Sequence, residues 1–262
     1  MGTYLWANGD KYVGNFKLGQ MHGFGSFAWS NGDRYEGQWR KGLMHGKGKK
    51  VFASGDIVEA EWNRGKIHGV GKKIFRSGDV YEGQFASDER DGYGCYTWIN
   101  GDRYEGHWSQ GTMHGKGVFS PSSGGKLSGT WRRGLLEGQA HREFSCGSTY
   151  SGSYHADQRH GFGVLTLVSG ERFEGEWCAD QVEGFGVWTA SNGTTFIGNW
   201  KDGLACGIGL YRQPSPESSL DEEDPVGSIH DEAPSLASGL FKGGVLQDGS
   251  AFSIERVEAP RE

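Results

Sequence analysis

The chain is 262 residues long and carries 27 Lys and Arg against 33 Asp and Glu, a formal net charge of −6. That balance excludes the excess of positive charge that nucleic-acid binding draws on, and no stretch approaches the ~20 apolar residues of a membrane-spanning helix. Gly supplies 47 residues, Phe 14 and Trp 10, so the apolar content sits in large rings separated by glycine.

The first residues, MGTYLWANGD, lack a charged start followed by an apolar core, so no leader peptide is expected. At an unbroken spacing of 23 residues, a ring or aliphatic residue is then followed two places later by a small residue and four places later by another ring. The series opens with Tyr12-Val-Gly14-Asn-Phe16 and Tyr35-Glu-Gly37-Gln-Trp39. It runs on to Phe173-Glu-Gly175-Glu-Trp177 and Phe196-Ile-Gly198-Asn-Trp200. A fixed period without a slip marks a tandem array of one supersecondary unit.

Within a unit, Gly23, Gly25, Phe27 and Trp29 alternate with Phe24, Ser26 and Ala28; Tyr35, Gly37 and Trp39 alternate with Glu36 and Gln38. A period of two is that of β-strands. Between them stands Ser30-Asn31-Gly32-Asp33, and Asn-Gly is the strongest short signal for a tight two-residue turn with positive φ at both central positions. Each unit therefore reads as a β-hairpin. The second connection, Arg40-Lys-Gly-Leu-Met-His45 and its equivalents, carries Gly or Asp at its third place, where left-handed backbone is tolerated. Glycines facing rings leave hollows that the rings fill, which explains the repeated Gly-x-Gly by packing.

Two units depart from the pattern. The third has Val58 and Ala60 in place of Tyr and Gly, and the sixth has Pro121, Gly125, Leu127 and Ala140 at pattern positions. Proline cannot donate a ladder hydrogen bond, so a kink or bulge is expected near Pro121. Cys95, Cys146, Cys178 and Cys206 form no Cys-x-x-Cys pair and read as free thiols of a reducing compartment. The organisation expected is an array over residues 1–210, an acidic Pro/Ser-rich disordered insertion over 211–238, and a degenerate terminal repeat or cap over 239–262. That last part rests on Gly244-Val-Leu-Gln-Asp-Gly249-Ser-Ala-Phe252, which is similar to the end of a repeat.

The sequence Tyr-Glu-Gly-Gln-Trp, then Gly, then His-Gly-Lys-Gly, then Asn-Gly-Asp resembles the MORN (membrane occupation and recognition nexus) repeat, over residues 2–210. The resemblance implies an all-β fold, an elongated single-layer antiparallel twisted sheet of tandem hairpins. It also implies a scaffold or recognition surface in a cytoplasmic, cytoskeleton-, cilium- or membrane-associated setting.

A single-layer sheet is expected to leave an aromatic groove partly open. Its lining residues are Phe27, Trp29, Tyr35, Trp39, Trp62, Tyr81, Phe85, Tyr96, Trp98, Tyr104, Trp108 and Trp131, and its expected occupant is an amphipathic helix, an extended peptide or a second copy of the chain. The rival reading is a peripheral membrane module that holds acidic phospholipid on Lys47, Lys49, Lys50, Lys72 and Lys73. Lys50 and Lys73 take the position of Phe27 and are expected on the aromatic face. His22, His45, His68, His114 and His160 share one repeat position and stand ~10 Å or more apart, too far to share a metal. The same spacing separates Glu36, Glu59, Glu82 and Glu105 beyond the reach of paired acid–base work. No cofactor is expected, and the reading is of a non-enzyme.

Overall fold

A computed structural model describes residues 1–214, 236–247, 253–258 and 260. Every regular element among them is a strand. They fall into two units, Met1–Leu135 and Leu136–Glu262, and each is an open antiparallel sheet whose strands pair with their neighbours in chain order. Most of the expected acidic insertion, and Gly249 to Phe252, lie outside the described residues.

The unit of construction is clearest at Gln20–Ala28, Arg34–Arg40 and Leu43–Val51. Gly25 stands opposite Gly37 and Phe27 opposite Tyr35; on the other side Gly37 meets Gly48 and Tyr35 meets Lys50. The register then slips between Gly37 and Trp39, so that Trp39 faces Met44. The same bulge recurs between Gly14 and Phe16, Gly83 and Phe85, and Gly106 and Trp108, and in the second unit between Gly152 and Tyr154 and between Gly175 and Trp177.

The two connections exchange the roles expected of them. Positive φ at two successive residues occurs in the second connection, as at Leu18-Gly19, Lys41-Gly42, Arg64-Gly65 and Ala156-Asp157. This is the tight two-residue hairpin turn. At the Asn-Gly sites only the glycine has positive φ. There Gly9 N donates to Trp6 O at 3.0 Å and Trp6 N to Asp10 O at 2.9 Å, which closes a five-residue connection. Pro121 opens the equivalent connection, with Gly124 N donating to Pro121 O at 3.1 Å. Proline therefore sits at a turn and not within a strand, and Thr112–Ser120 pairs with Lys126–Arg132 without a register shift. The expected kink is replaced by an ordinary turn that lacks one N–H.

In the second unit Leu236–Lys242 pairs with Leu204–Arg212, bringing Gly239 opposite Gly209. Phe241 lies 4.7 Å from Phe196, in the place that a following repeat's tryptophan takes elsewhere. Gly243-Gly244 turns the chain into Val245–Leu246, the buried Ile254 donates its N–H to Gly244 O at 2.8 Å, and Val257 N reaches Gly203 O at 2.9 Å.

Candidate functional site

One face of each sheet is a closed layer of rings. Tyr12, Tyr35, Tyr81, Tyr104 and Tyr150 are at most 1% exposed, and Trp39, Trp62, Phe85, Trp108 and Trp131 at most 5%. The reason lies in the glycines. A methyl at Gly48 would collide with the Tyr35 ring, and one at Gly25 with Tyr12, so each tyrosine lies flat over a glycine pair joined across two strands. Its hydroxyl donates to the carbonyl of the bulged residue three places on, Tyr35 to Gln38 at 3.1 Å and Tyr81 to Gln84 at 2.9 Å. Tryptophans tie repeats together: Trp62 stands edge-on to Tyr35 with centroids 5.4 Å apart, and its Nε1–H donates to Gly48 O at 3.1 Å. At ~25 cal/mol per Å2 and roughly 200 Å2 per ring, burying each contributes on the order of 5 kcal/mol before entropy.

Repeat three explains its own departure. With Val58 instead of a tyrosine, the hollow over Gly71 is filled by the Ala60 methyl. Burial also raises the tyrosine pKa values, to about 12 at Tyr81 and Tyr104. Tyr96 is likewise pushed to about 12, by burial and by the Asp79 carboxylate, to which its hydroxyl donates at 2.8 Å.

Of the twelve rings expected to line a groove, ten are thus inside this layer, Phe27 and Tyr96 with them. Trp29 and Trp98 remain half-buried. They belong to a row that the sequence reading did not collect: Trp6, Trp29, Phe52, Phe75 and Trp98, each half-buried and each opening a first connection. Their 23-residue spacing was the available signal. Ring contacts carry the row inward, Phe27 to Trp29 at 4.4 Å and Tyr96 to Trp98 at 4.7 Å. Lys50 Nζ lies 4.9 Å from the Trp29 centroid and 4.3 Å from Phe52, and Lys73 Nζ lies 4.5 Å from Phe75.

The five lysines do not form one patch. Lys50 and Lys73 are on the ring face, as expected, where Asp33 and Asp56 neutralise them at 3.2 and 3.4 Å. Lys47, Lys49 and Lys72 are on the opposite face. There Lys49 pairs with Glu59 at 2.6 Å and Lys72 with Glu82 at 2.5 Å. Across the strands this face reads Glu36, Lys49, Glu59, Lys72, Glu82, each opposite the next. A shallow cavity of about 640 Å3 opens on it, with Phe24, Glu36, Lys47, Glu61 and Val70 among its lining residues.

The turn aspartates link successive repeats. Asp10 accepts Ser30 N–H at 2.7 Å, Asp79 accepts Ile99 N–H at 2.9 Å and Asp102 accepts Ser122 N–H at 2.8 Å. These backbone donors hold all three carboxyl groups below the usual range.

Comparison with known proteins bears on this arrangement. No curated protein matches the chain at a significant level. Among solved structures, a TCP10 domain of Danio rerio CPAP in complex with a STIL peptide is 13% identical, with a TM-score of 0.44 over 82% of this chain and 93% of that one. A Drosophila melanogaster SAS-4 TCP domain bound to a proline-rich motif of Ana2 is 12% identical, with a TM-score of 0.38 over 60% and 85%. A virginiamycin B lyase of Staphylococcus aureus, 10% identical, reaches only 0.16 over 80% and 89%. Likenesses of that size say nothing of what this chain binds. The MORN repeat, in contrast, matches ten successive segments from residues 1–11 and 12–34 through to 173–195 and 196–215. The chain belongs to the MORN repeat family.

Proposed function

We propose that the protein is a non-catalytic scaffold that docks a helical or extended protein segment along the half-buried ring row of its first unit, within a cytoskeletal or membrane-proximal assembly. The observation that carries this reading is the row Trp6, Trp29, Phe52, Phe75 and Trp98 beside rings that from Phe27 to Trp108 are sealed. The turn itself does not require a ring. Pro121, Leu167 and Ala190 open the same connection, with the same carbonyl accepting from Gly124, Gly170 and Gly193. Half-open rings standing roughly two strand spacings, ~10 Å, apart are suited to receive apolar side chains of a segment laid across the strands. With Lys50 and Lys73 neutralised by Asp33 and Asp56, the row offers apolar contact in preference to an anion site.

The test is binding of the full chain to a displayed library of extended and helical peptides, beside acidic vesicles. Discrete peptides captured at raised salt, and lost in Phe52→Ser and Phe75→Ser variants that still melt cooperatively, are the expected result. Salt-sensitive vesicle binding unaffected by those variants would overturn it.

A further inference from the structure

The face opposite the rings changes character in the second unit. Register positions that hold Lys49, Glu59, Lys72, Glu82 and Cys95 in the first unit hold Val164, Glu174, Val187, Ile197 and Leu210 in the second. Beside them lie Phe162, Phe185, Ile208 and Leu240, which are 56%, 53%, 75% and 56% exposed. Phe162, Phe185 and Ile208 occupy the central place of Gly-x-Gly on every second strand, and Leu240 stands opposite Ile208. The first unit also carries Phe24, Val70 and Tyr93 at the central Gly-x-Gly place, but there Glu36, Lys49, Glu59, Lys72 and Glu82 stand between them. In the second unit Val164, Val187, Ile197 and Leu210 join the central residues, so that each strand from Gln158–Thr166 to Leu236–Lys242 except Arg172–Cys178 adds an apolar residue to an exposed patch of the kind that marks an interface.

Charge around the patch is divided. Glu174, Glu176 and Glu183 lie on Arg172–Cys178 and Gln181–Thr189, whereas Lys201, Arg212 and Lys242 lie on the three strands that follow, Thr195–Lys201, Leu204–Arg212 and Leu236–Lys242. Arg172 pairs with Glu174 at 2.5 Å. Among the described residues no ion pair joins Glu176, Glu183, Lys201, Arg212 or Lys242 to a partner. An acidic half and a basic half on one apolar surface are complementary to the same surface turned end for end.

We infer that a second copy of this chain covers the patch, in a two-fold dimer packed face to face through the second unit. The axis runs parallel to the strands, between Gln181–Thr189 and Thr195–Lys201. Rotation about it reverses the strand order and keeps each margin of the sheet on its own side. Glu183 follows the turn at Ala179-Asp180 and Lys201 precedes the turn at Asp202-Gly203, so both stand at one margin. Glu183 of one copy therefore faces Lys201 of the other, twice per dimer, and Phe162 comes over Leu240. Six strands at ~4.8 Å and about six residues at ~3.3 Å give a flat area on the order of 500 Å2. Roughened by side chains, that approaches the ~800 Å2 of accessible surface per partner found in stable complexes.

Sedimentation of the full chain tests the proposal. The wild type is expected as a dimer, and Glu183→Lys and Lys201→Glu, which place like charges opposite one another, are each expected to weaken dimerisation roughly tenfold or more. An equimolar mixture of these two variants should dimerise as the wild type does, because the mixed dimer carries one native and one reversed pair. Ile208→Ser should also give monomers, and the charge variants keep the test decisive if that variant misfolds. A wild type that is monomeric at every concentration overturns the proposal, as does a mixture that stays monomeric. Dimers that form only after residues 216–234 are deleted would make that segment the cover of the patch and equally overturn it.

Discussion

The two units share one ring face and differ on the other. In both, a ring lies flat over paired glycines, Tyr35 over Gly48 and Phe196 over Gly209, and a tryptophan stands edge-on to it. On the opposite face the first unit sets alternating Glu and Lys between Phe24, Val70 and Tyr93, whereas the second carries Val, Ile, Leu and Phe. The difference teaches that the repeat's fold is specified on one side of the sheet only, which leaves the other side free to vary with what it meets.

If that is so, removing a sealed ring should cost the same in either unit. Trp108→Ala and Trp200→Ala are each expected to lose about 3 to 5 kcal/mol, measured by denaturant unfolding; a cost confined to one unit would break the comparison. Next in size is the glycine hollow. Gly37→Ala is expected to destabilise by about 1 to 3 kcal/mol because its methyl meets the Tyr35 hydroxyl and the facing strand. The loss should shrink in a Tyr35→Val background, which reproduces the Val58 and Ala60 pairing of repeat three.

Titration separates the units further. The tyrosines ionise at an ordinary value of 10.0 when unfolded and at about 12 at Tyr81 and Tyr104 when folded. Because the folded value is the higher, their contribution is complete below pH 10 and falls as pH rises from there through 12. The second unit carries Phe173 and Phe196 beside Tyr150 at this position, where the first carries Tyr12, Tyr35, Tyr81 and Tyr104, so its alkaline loss, followed by melting temperature against pH, should be the smaller. Acid acts in the opposite sense. Asp10, Asp79 and Asp102 have lowered folded values, so their contribution is present above the ordinary carboxylate value of 3.8 and is lost as pH falls below it. Ser148, Glu171 and Thr194 hold this position in the second unit, and hydrogen exchange at low pH should open the first unit sooner. The smallest effect is expected at Lys49 and Glu59, half-exposed and 2.6 Å apart. A double-mutant cycle there should return about 0.2 to 1 kcal/mol, reduced by salt.

The hairpins and their register were legible in the sequence because a period of two inside a period of 23 admits few arrangements. The turn types were not. Asn31-Gly32 and Lys41-Gly42 both end in a glycine of positive φ, and only the pairing shows which connection has two residues. The openness of the groove was also not legible. Alternation places Tyr35 and Trp39 on one face, but whether a ring stands off the sheet or lies down on it depends on the facing Gly48, whose missing side chain makes room. Lys49 and Lys50, adjacent in sequence, necessarily point to opposite faces, so a run of lysines along a strand cannot make one patch. The ring row from Trp6 to Trp98 was in the sequence at constant spacing, hidden by the stronger signal of the buried set.

Oxidative footprinting of the tryptophans in the intact chain tests the ring face most directly. If the tyrosines and tryptophans seal one another and leave a single open row, Trp6, Trp29 and Trp98 will oxidise several-fold faster than Trp39, Trp62, Trp108 and Trp131. Equal rates at Trp29 and Trp39 would contradict the account.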